Sequence, residues 1–217
     1  MTKAVVAIAG LAVAGVANAS LYDQTPDLDD LGTGFYSASY AGTYHDYLHA
    51  DNFTLGAGSL VGGVTWWGGS ENYVWSDLSN FVGWEVTFYE DAGGLPGNVL
   101  YSEYFDKAAT NPMDTGYLGW QGSIVYSHEV SLSSEVSLSG GTQYWISIGV
   151  DPASDALDGW WWQKSEPVDS FGGEFYYLDG FWTQSEGHDV TFGLIAVPAP
   201  GALALLGAAG LMRRRRR

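Results

Sequence analysis

Three consecutive tryptophans, Trp160-Trp161-Trp162, are the residues of this chain best equipped to recognise a ligand. In an extended strand Trp160 and Trp162 share one face, and Trp161 takes the other. Exposed indoles flanked by Asp158, Gln163 and Glu166 could stack on sugar rings while the polar groups bond hydroxyls. Trp160 and Trp162 are therefore the candidate glycan-stacking pair. The alternative is that these indoles fill a core, because aromatic side chains dominate core burial. Trp66 and Trp67 divide between two faces in the same way.

Carboxylates offer two further chemistries. Asp151, Asp155 and Asp158 lie in one expected loop, and Asp23, Asp27, Asp29 and Asp30 cluster near the start. Hard oxygen ligands on loops suit a structural calcium ion, with Asp151, Asp155 and Asp158 as the candidate ligands. Neither run has EF-hand spacing, so solvated aspartates are the competing reading. Glycoside hydrolysis needs two carboxyl groups about 5–9 Å apart across a groove. Glu85, Glu90, Glu103 and Glu174 could meet across strands, but nothing in the sequence singles out a pair. His45 and His49 are four apart without the Glu-x-x insert of a zinc hydrolase, and His128 and His188 stand alone. These four read as polar surface residues. The chain has no cysteine, which excludes disulfides, thiol catalysis and Cys-ligated zinc. It has no G-x-S-x-G elbow and no phosphate-binding glycine loop. No catalytic residue is assigned, and the body reads as non-enzymatic.

The elements that would position these groups are strands. Aromatic and β-branched stretches alternate with turn residues rich in Gly, Asn and Asp, and no long segment of helical period interrupts them. Leu60 to Trp67 reads as a strand with Val61, Gly63, Thr65 and Trp67 on one side and Leu60, Gly62, Val64 and Trp66 on the other. In Phe81 to Tyr89, Val82, Trp84, Val86 and Phe88 alternate with Gly83, Glu85, Thr87 and Tyr89. The first set is expected to face inward and the second outward. Glu90 to Asn98 carries turn residues, and Val99 to Phe105 completes a hairpin. Ser123 to Leu132, Gln143 to Val150, Trp160 to Gln163, Glu174 to Leu178 and Asp189 to Ile195 bring the count to about nine strands. The expected fold is all-β: an antiparallel sandwich over 51–195, plausibly a jelly roll, preceded by an acidic arm or first edge segment over 20–50.

Both ends of the chain carry addresses. Lys3, the apolar stretch Ala4 to Val16 and the small-x-small site Ala17-Asn18-Ala19 form a signal peptide over 1–19, cut by signal peptidase before Ser20. At the other end, Val197-Pro198-Ala199-Pro200 leads into an apolar run to Met212 and then Arg213, Arg214, Arg215, Arg216 and Arg217. As a helix, Val197 to Met212 would extend about 24 Å, short of a hydrocarbon core of about 30 Å. The arginines hold the end on the cytoplasmic side. Between the two ends, twenty-five acidic residues face only Lys107 and Lys164, a net charge of −23. Such a body repels phosphates, which argues against a nucleic-acid partner.

The order of proline motif, short apolar helix and arginine end resembles the PEP-CTERM sorting signal of exopolysaccharide-producing bacteria. Val197, Pro198 and Pro200 match its motif, and Ala199 stands where the family usually has Glu. The resemblance implies an exosortase-like membrane protease, an inner-membrane-tethered intermediate, and release to the cell surface or extracellular matrix. An unprocessed C-terminal anchor is the alternative. Asp51-Asn52-Phe53-Thr54-Leu55, Val64-Thr65-Trp66-Trp67-Gly68, Val86 to Gly97 and Gly141 to Ile148 resemble a β-sandwich domain that often precedes such tails. The resemblance implies a non-enzymatic surface or matrix protein associated with exopolysaccharide. A carbohydrate-binding module using the tryptophan strand and a sandwich-fold glycoside hydrolase are the competing functions.

Overall fold

Alternation along the strands decides the architecture. Trp84, Val86 and Phe88 point to one side of their strand and are completely buried. The computed structural model describes residues 19–37, 48–70, 78–119, 122–152, 160–167, 175–178, 181–184 and 189–197. Thirteen strands fall within them: β1 Ser20–Gln24, β2 Gly34–Tyr36, β3 Leu48–Thr54, β4 Ser59–Ser70, β5 Phe81–Asp91, β6 Pro96–Asp106, β7 Met113–Leu118, β8 Ile124–Leu138, β9 Gln143–Pro152, β10 Trp160–Gln163, β11 Phe175–Leu178, β12 Phe181–Gln184 and β13 Phe192–Ala196. They build two sheets in which every pairing is antiparallel.

In the first sheet β4 is central. One flank of β4 pairs with β8, which pairs in turn with β7. The other flank pairs with β13 along Val61 to Trp66 and with β10 along Gly68 to Ser70. The second sheet has the order β12-β11-β3-β9-β5-β6. The two sheets press their apolar faces together, and the expected all-β sandwich is the observed fold. Its core contains Phe53 from β3, Trp66 from β4, Trp84 and Phe88 from β5, Ile146 and Ile148 from β9, and Trp160 and Trp162 from β10.

The sandwich is longer than the expected 51–195. Ser20–Val197 forms one compact unit, because β1 adds to β13 and β2 adds to β10. The acidic segment therefore contributes edge strands, and Leu48–Thr54 lies inside the second sheet between β11 and β9.

One inward assignment is corrected by a bulge, and a second bulge breaks the two-sided alternation expected of β4. Val82 was expected inward but is 44% exposed, while Phe81 is 1% exposed. In the β5–β9 register Phe81 opposes Pro152 and Gly83 opposes Asp151, so Val82 is an extra residue that is pushed out. In β4 Gly63 opposes Ile195 and Val61 opposes Ala196 of β13, so Gly62 is an extra residue. Val61 and Val64 are consequently both buried, and Leu60 is 45% exposed. In each case the extra residue resets which face the following side chains occupy.

Candidate functional site

The tryptophan strand does not supply the site. Trp160 and Trp162 are both fully buried. Their rings stack at 6.5 Å, Trp160 meets Trp84 edge-on at 6.2 Å, and the Trp162 Nε1–H donates to the Thr191 carbonyl at 2.6 Å. Neither indole has a face for a sugar, so the core-filling alternative holds for this pair. β10 is short and sits at the centre of the sandwich, where Trp160 covers Gly68 so closely that a side chain there would strike its ring.

The calcium set is not assembled either. Asp155 and Asp158 lie outside the described residues, and Asp151 accepts a hydrogen bond from Tyr104 Oη at 3.1 Å. Among the described residues no group of three or more His, Asp or Glu side chains converges. In the N-terminal cluster, Asp30 and Asp27 hold Lys164 Nζ at 2.9 and 3.6 Å.

The carboxylates considered for hydrolysis are separated by register. Glu85 opposes Tyr104, and Val86 opposes Glu103. Glu85 therefore projects from the outer face of the second sheet and Glu103 from the inner side, where it accepts hydrogen bonds from the Tyr101 hydroxyl and the Ser133 N–H. Glu90 is exposed at the strand end and accepts from Asn98 at 3.0 Å. Glu174, His45 and His188 lie outside the described residues, as do Ala17 of the signal-peptide site and Pro198 to Arg217 of the tail. Ala19 and Ser20 are exposed.

Two histidines expected on the surface are buried. His128 stacks on Trp66 at 5.0 Å with the planes 4° apart, and its Nδ1 lies 3.0 Å from Thr110 Oγ1. Burial lowers its pKa to about 3. His49 sits beside the Phe35 ring, and burial lowers its pKa to about 4. Sequence alone missed a third buried polar group, Asp51. Its carboxylate accepts hydrogen bonds from Val190 N at 2.9 Å, Asn52 N at 2.8 Å and Gln24 Nε2 at 3.2 Å. Burial pushes its pKa well above the usual carboxylate range, against those donors, and the neighbouring charge of Asp189 adds to the rise. These contacts tie β1, β3 and the approach to β13 together. They belong to the interior and are closed to a ligand.

The outer face of the second sheet gathers polar chemistry that is open at Ser102, half-buried at Glu85, and buried at Thr87, Tyr89 and Ser147. A groove of about 230 Å³ is lined by Glu85, Thr87 and Tyr89 of β5, Ser102 of β6 and Ser147 of β9, with Leu48 and Val99 at its margins. No known family model matches this chain, and no curated protein matches it. The groove must therefore be read from its own geometry.

Register creates that groove. Thr87 opposes Ser102 on one side and Ser147 on the other, which sets three hydroxyls in a row across three strands. Ser102 Oγ donates to Glu85 Oε1 at 2.6 Å. Thr87 Oγ1 lies 2.9 Å from Ser102 Oγ. Because the Ser102 proton is committed to Glu85, Thr87 acts as donor to Ser102, and the row is polarised toward the carboxylate. Tyr89 Oη and Ser147 Oγ close the far end at 3.0 Å. Trp182 of β12 packs edge-on against Tyr89 at 5.5 Å and walls off that end.

Tyr104 lies on the same outer face, opposite Glu85 and beyond the groove lining. Its Cα is on β6, and its hydroxyl reaches Asp151 on β9, with β5 between them. Neighbouring strands are about 4.8 Å apart, so the phenol must lie down along the sheet to span that distance. Gly83 makes this posture possible. A Cβ at Gly83 would lie 2.6 Å from Tyr104 Oη and 2.7 Å from Cζ. The ring remains 45% exposed. Desolvation and then the Asp151 carboxylate push the Tyr104 pKa up to about 12, so the phenol keeps its proton and serves as a donor.

Proposed function

We propose that this chain is a non-enzymatic, exported cell-surface or extracellular-matrix protein, sorted by a PEP-CTERM-like signal and associated with exopolysaccharide. The observation that carries the reading is a coincidence of boundaries. The compact body runs Ser20–Val197. The signal-peptidase site expected from the sequence precedes Ser20, and the proline motif begins at Val197. Trimming at both addresses would leave the sandwich whole, with none of its strands cut. The charge of the body favours solubility outside the cell. A cysteine-free core of buried aromatics keeps it independent of the redox state there.

The reading is tested by expressing the full chain in an exopolysaccharide-producing host with and without its exosortase-type protease. The exported product should begin at Ser20, lack the arginine end by intact mass, and fractionate with the matrix. Without the protease it should stay in the membrane fraction. Replacing Arg213 to Arg217 with Ser should abolish that retention. Exported material that keeps Met1, or a matrix fraction free of the protein, would overturn the proposal.

A further inference from the structure

We propose that the outer face of the second sheet binds a neutral polysaccharide chain, with Tyr104 as the stacking platform and Glu85 and Ser102 as the hydroxyl-bonding set. The inference rests on the exopolysaccharide reading above and gives it a site.

The geometry supplies what a pyranose chain requires. A sugar ring offers C–H groups on its faces and hydroxyls at its edges. The face of an aromatic ring is electron-rich and attracts the polarised C–H groups. Tyr104 presents such a ring held in place from both ends, by its backbone on β6 and by the Asp151 carboxylate on β9. A platform immobilised before binding loses little side-chain entropy when the ligand arrives. Glu85 stands directly opposite Tyr104 in the β5–β6 register, so a ring stacked on the phenol places its edge beside a carboxylate acceptor. Ser102, exposed beside Glu85, continues the polar line, and the buried Thr87 hydroxyl supports it from behind.

Charge selects among polysaccharides. A uronic-acid or sulfated chain needs cations, and the body has two lysines. Lys107 Nζ donates to the Leu78 carbonyl at 2.8 Å, and Lys164 is held by Asp30 and Asp27. Neither lines the groove, which carries Glu85 with Asp151 beside Tyr104. An acidic chain would meet only like charge there, whereas a neutral one loses nothing to it.

The test is affinity electrophoresis of the exported protein in native gels containing hydroxyethylcellulose, galactomannan or alginate. At least one neutral polymer should retard the protein, and alginate should not. Tyr104→Ala should weaken the apparent affinity at least tenfold, and Glu85→Gln about threefold. Tyr104→Phe, which keeps the ring, should stay within about twofold of the parent. Melting curves of the Tyr104 variants should match the parent. Retardation by alginate alone, by no neutral polymer, or equally with Tyr104→Ala overturns the site. Matrix association in cells that survives Tyr104→Ala also sinks the site but leaves the exported-matrix reading standing. Retardation by a neutral polymer without matrix association in cells sinks that reading and leaves the site intact.

Discussion

The two faces of β5 are built from alternate residues of one strand and hold themselves in place by different means. On the inner face Trp84, Val86 and Phe88 are fully buried among other apolar groups. On the outer face Thr87 is 6% exposed and its neighbour Ser147 on β9 is 1% exposed, so burial there is nearly as deep. The inner face is stabilised by removal of apolar area from water, roughly 1.5–3 kcal/mol for each large side chain. On the outer face Tyr89 packs with Ala50, Trp145 and Trp182, but the stretch around Thr87 and Ser147 depends on satisfied hydrogen bonds, each about 1 kcal/mol net. Depth of burial does not measure a residue's contribution; the chemistry of what surrounds it does.

Breaking the inner face should have the largest effect. Trp84→Ala leaves a cavity among Trp66, Phe81 and Trp160 and should cost about 3–5 kcal/mol in urea melts. Facing this inner face from β8 is a buried polar group, His128, wedged against Trp66 and Trp84. Its folded pKa of about 3 lies below an unfolded value near 6.5. Stability from keeping it neutral is therefore fully present above pH 6.5 and is lost as pH falls toward the folded value. Between pH 7 and pH 4 that loss amounts to about 3 kcal/mol. Asp51, with its raised pKa, works in the opposite direction by gaining stability as pH falls through its folded pKa toward the ordinary carboxylate value. The difference between parent and His128→Phe isolates the histidine: the variant should be flatter with pH by about that 3 kcal/mol, and parallel curves would refute the assignment.

Smaller effects sharpen the comparison. The strand pattern alone makes Thr87→Ala nearly silent, but its hydrogen bond to Ser102 raises the expected cost to about 1 kcal/mol. Equal penalties for Thr87→Ala and Trp84→Ala would erase the distinction between the faces. Val82→Ala, at the bulge, should fall within about 0.5 kcal/mol, whereas an inward Val82 would cost several times more. A thermal melt separates these outcomes.

How much of this was legible in the sequence follows from where each constraint resides. The alternation of Trp84, Val86 and Phe88 is local, and it located β5 and its inner face. The span of β10 was found residue for residue, because a run of indoles ending at Gln163 marks itself. Val82 misled because it is as apolar as an inward residue, and its exposure is imposed by the partner strand β9. The acidic segment was expected as an arm or first edge segment, and the long-range pairing of β1 with β13 and of β2 with β10 decides for edge strands. Glu85 was visible as a candidate carboxylate, and register then supplied it with hydroxyl partners in place of a second carboxylate. Tyr104 carried no signal, because its posture depends on Gly83 of the neighbouring strand.

The pairing of β1 with β13 sets how the body would carry mechanical load. Ser20 lies opposite Ile195, so both ends of the sandwich leave from one corner. β13 is gripped on its two flanks, by β1 and by β4. A pull applied beyond Ala196 along the strand axis strains the ladders on both sides together, in shear, and cannot unzip them one rung at a time. The end at Ser20 belongs to the outermost strand, which peels easily and would bear no force if the proposed leader were cut. A surface protein tethered from its C-terminal side would thus take drag through its best-secured strand and leave its weakest edge unloaded.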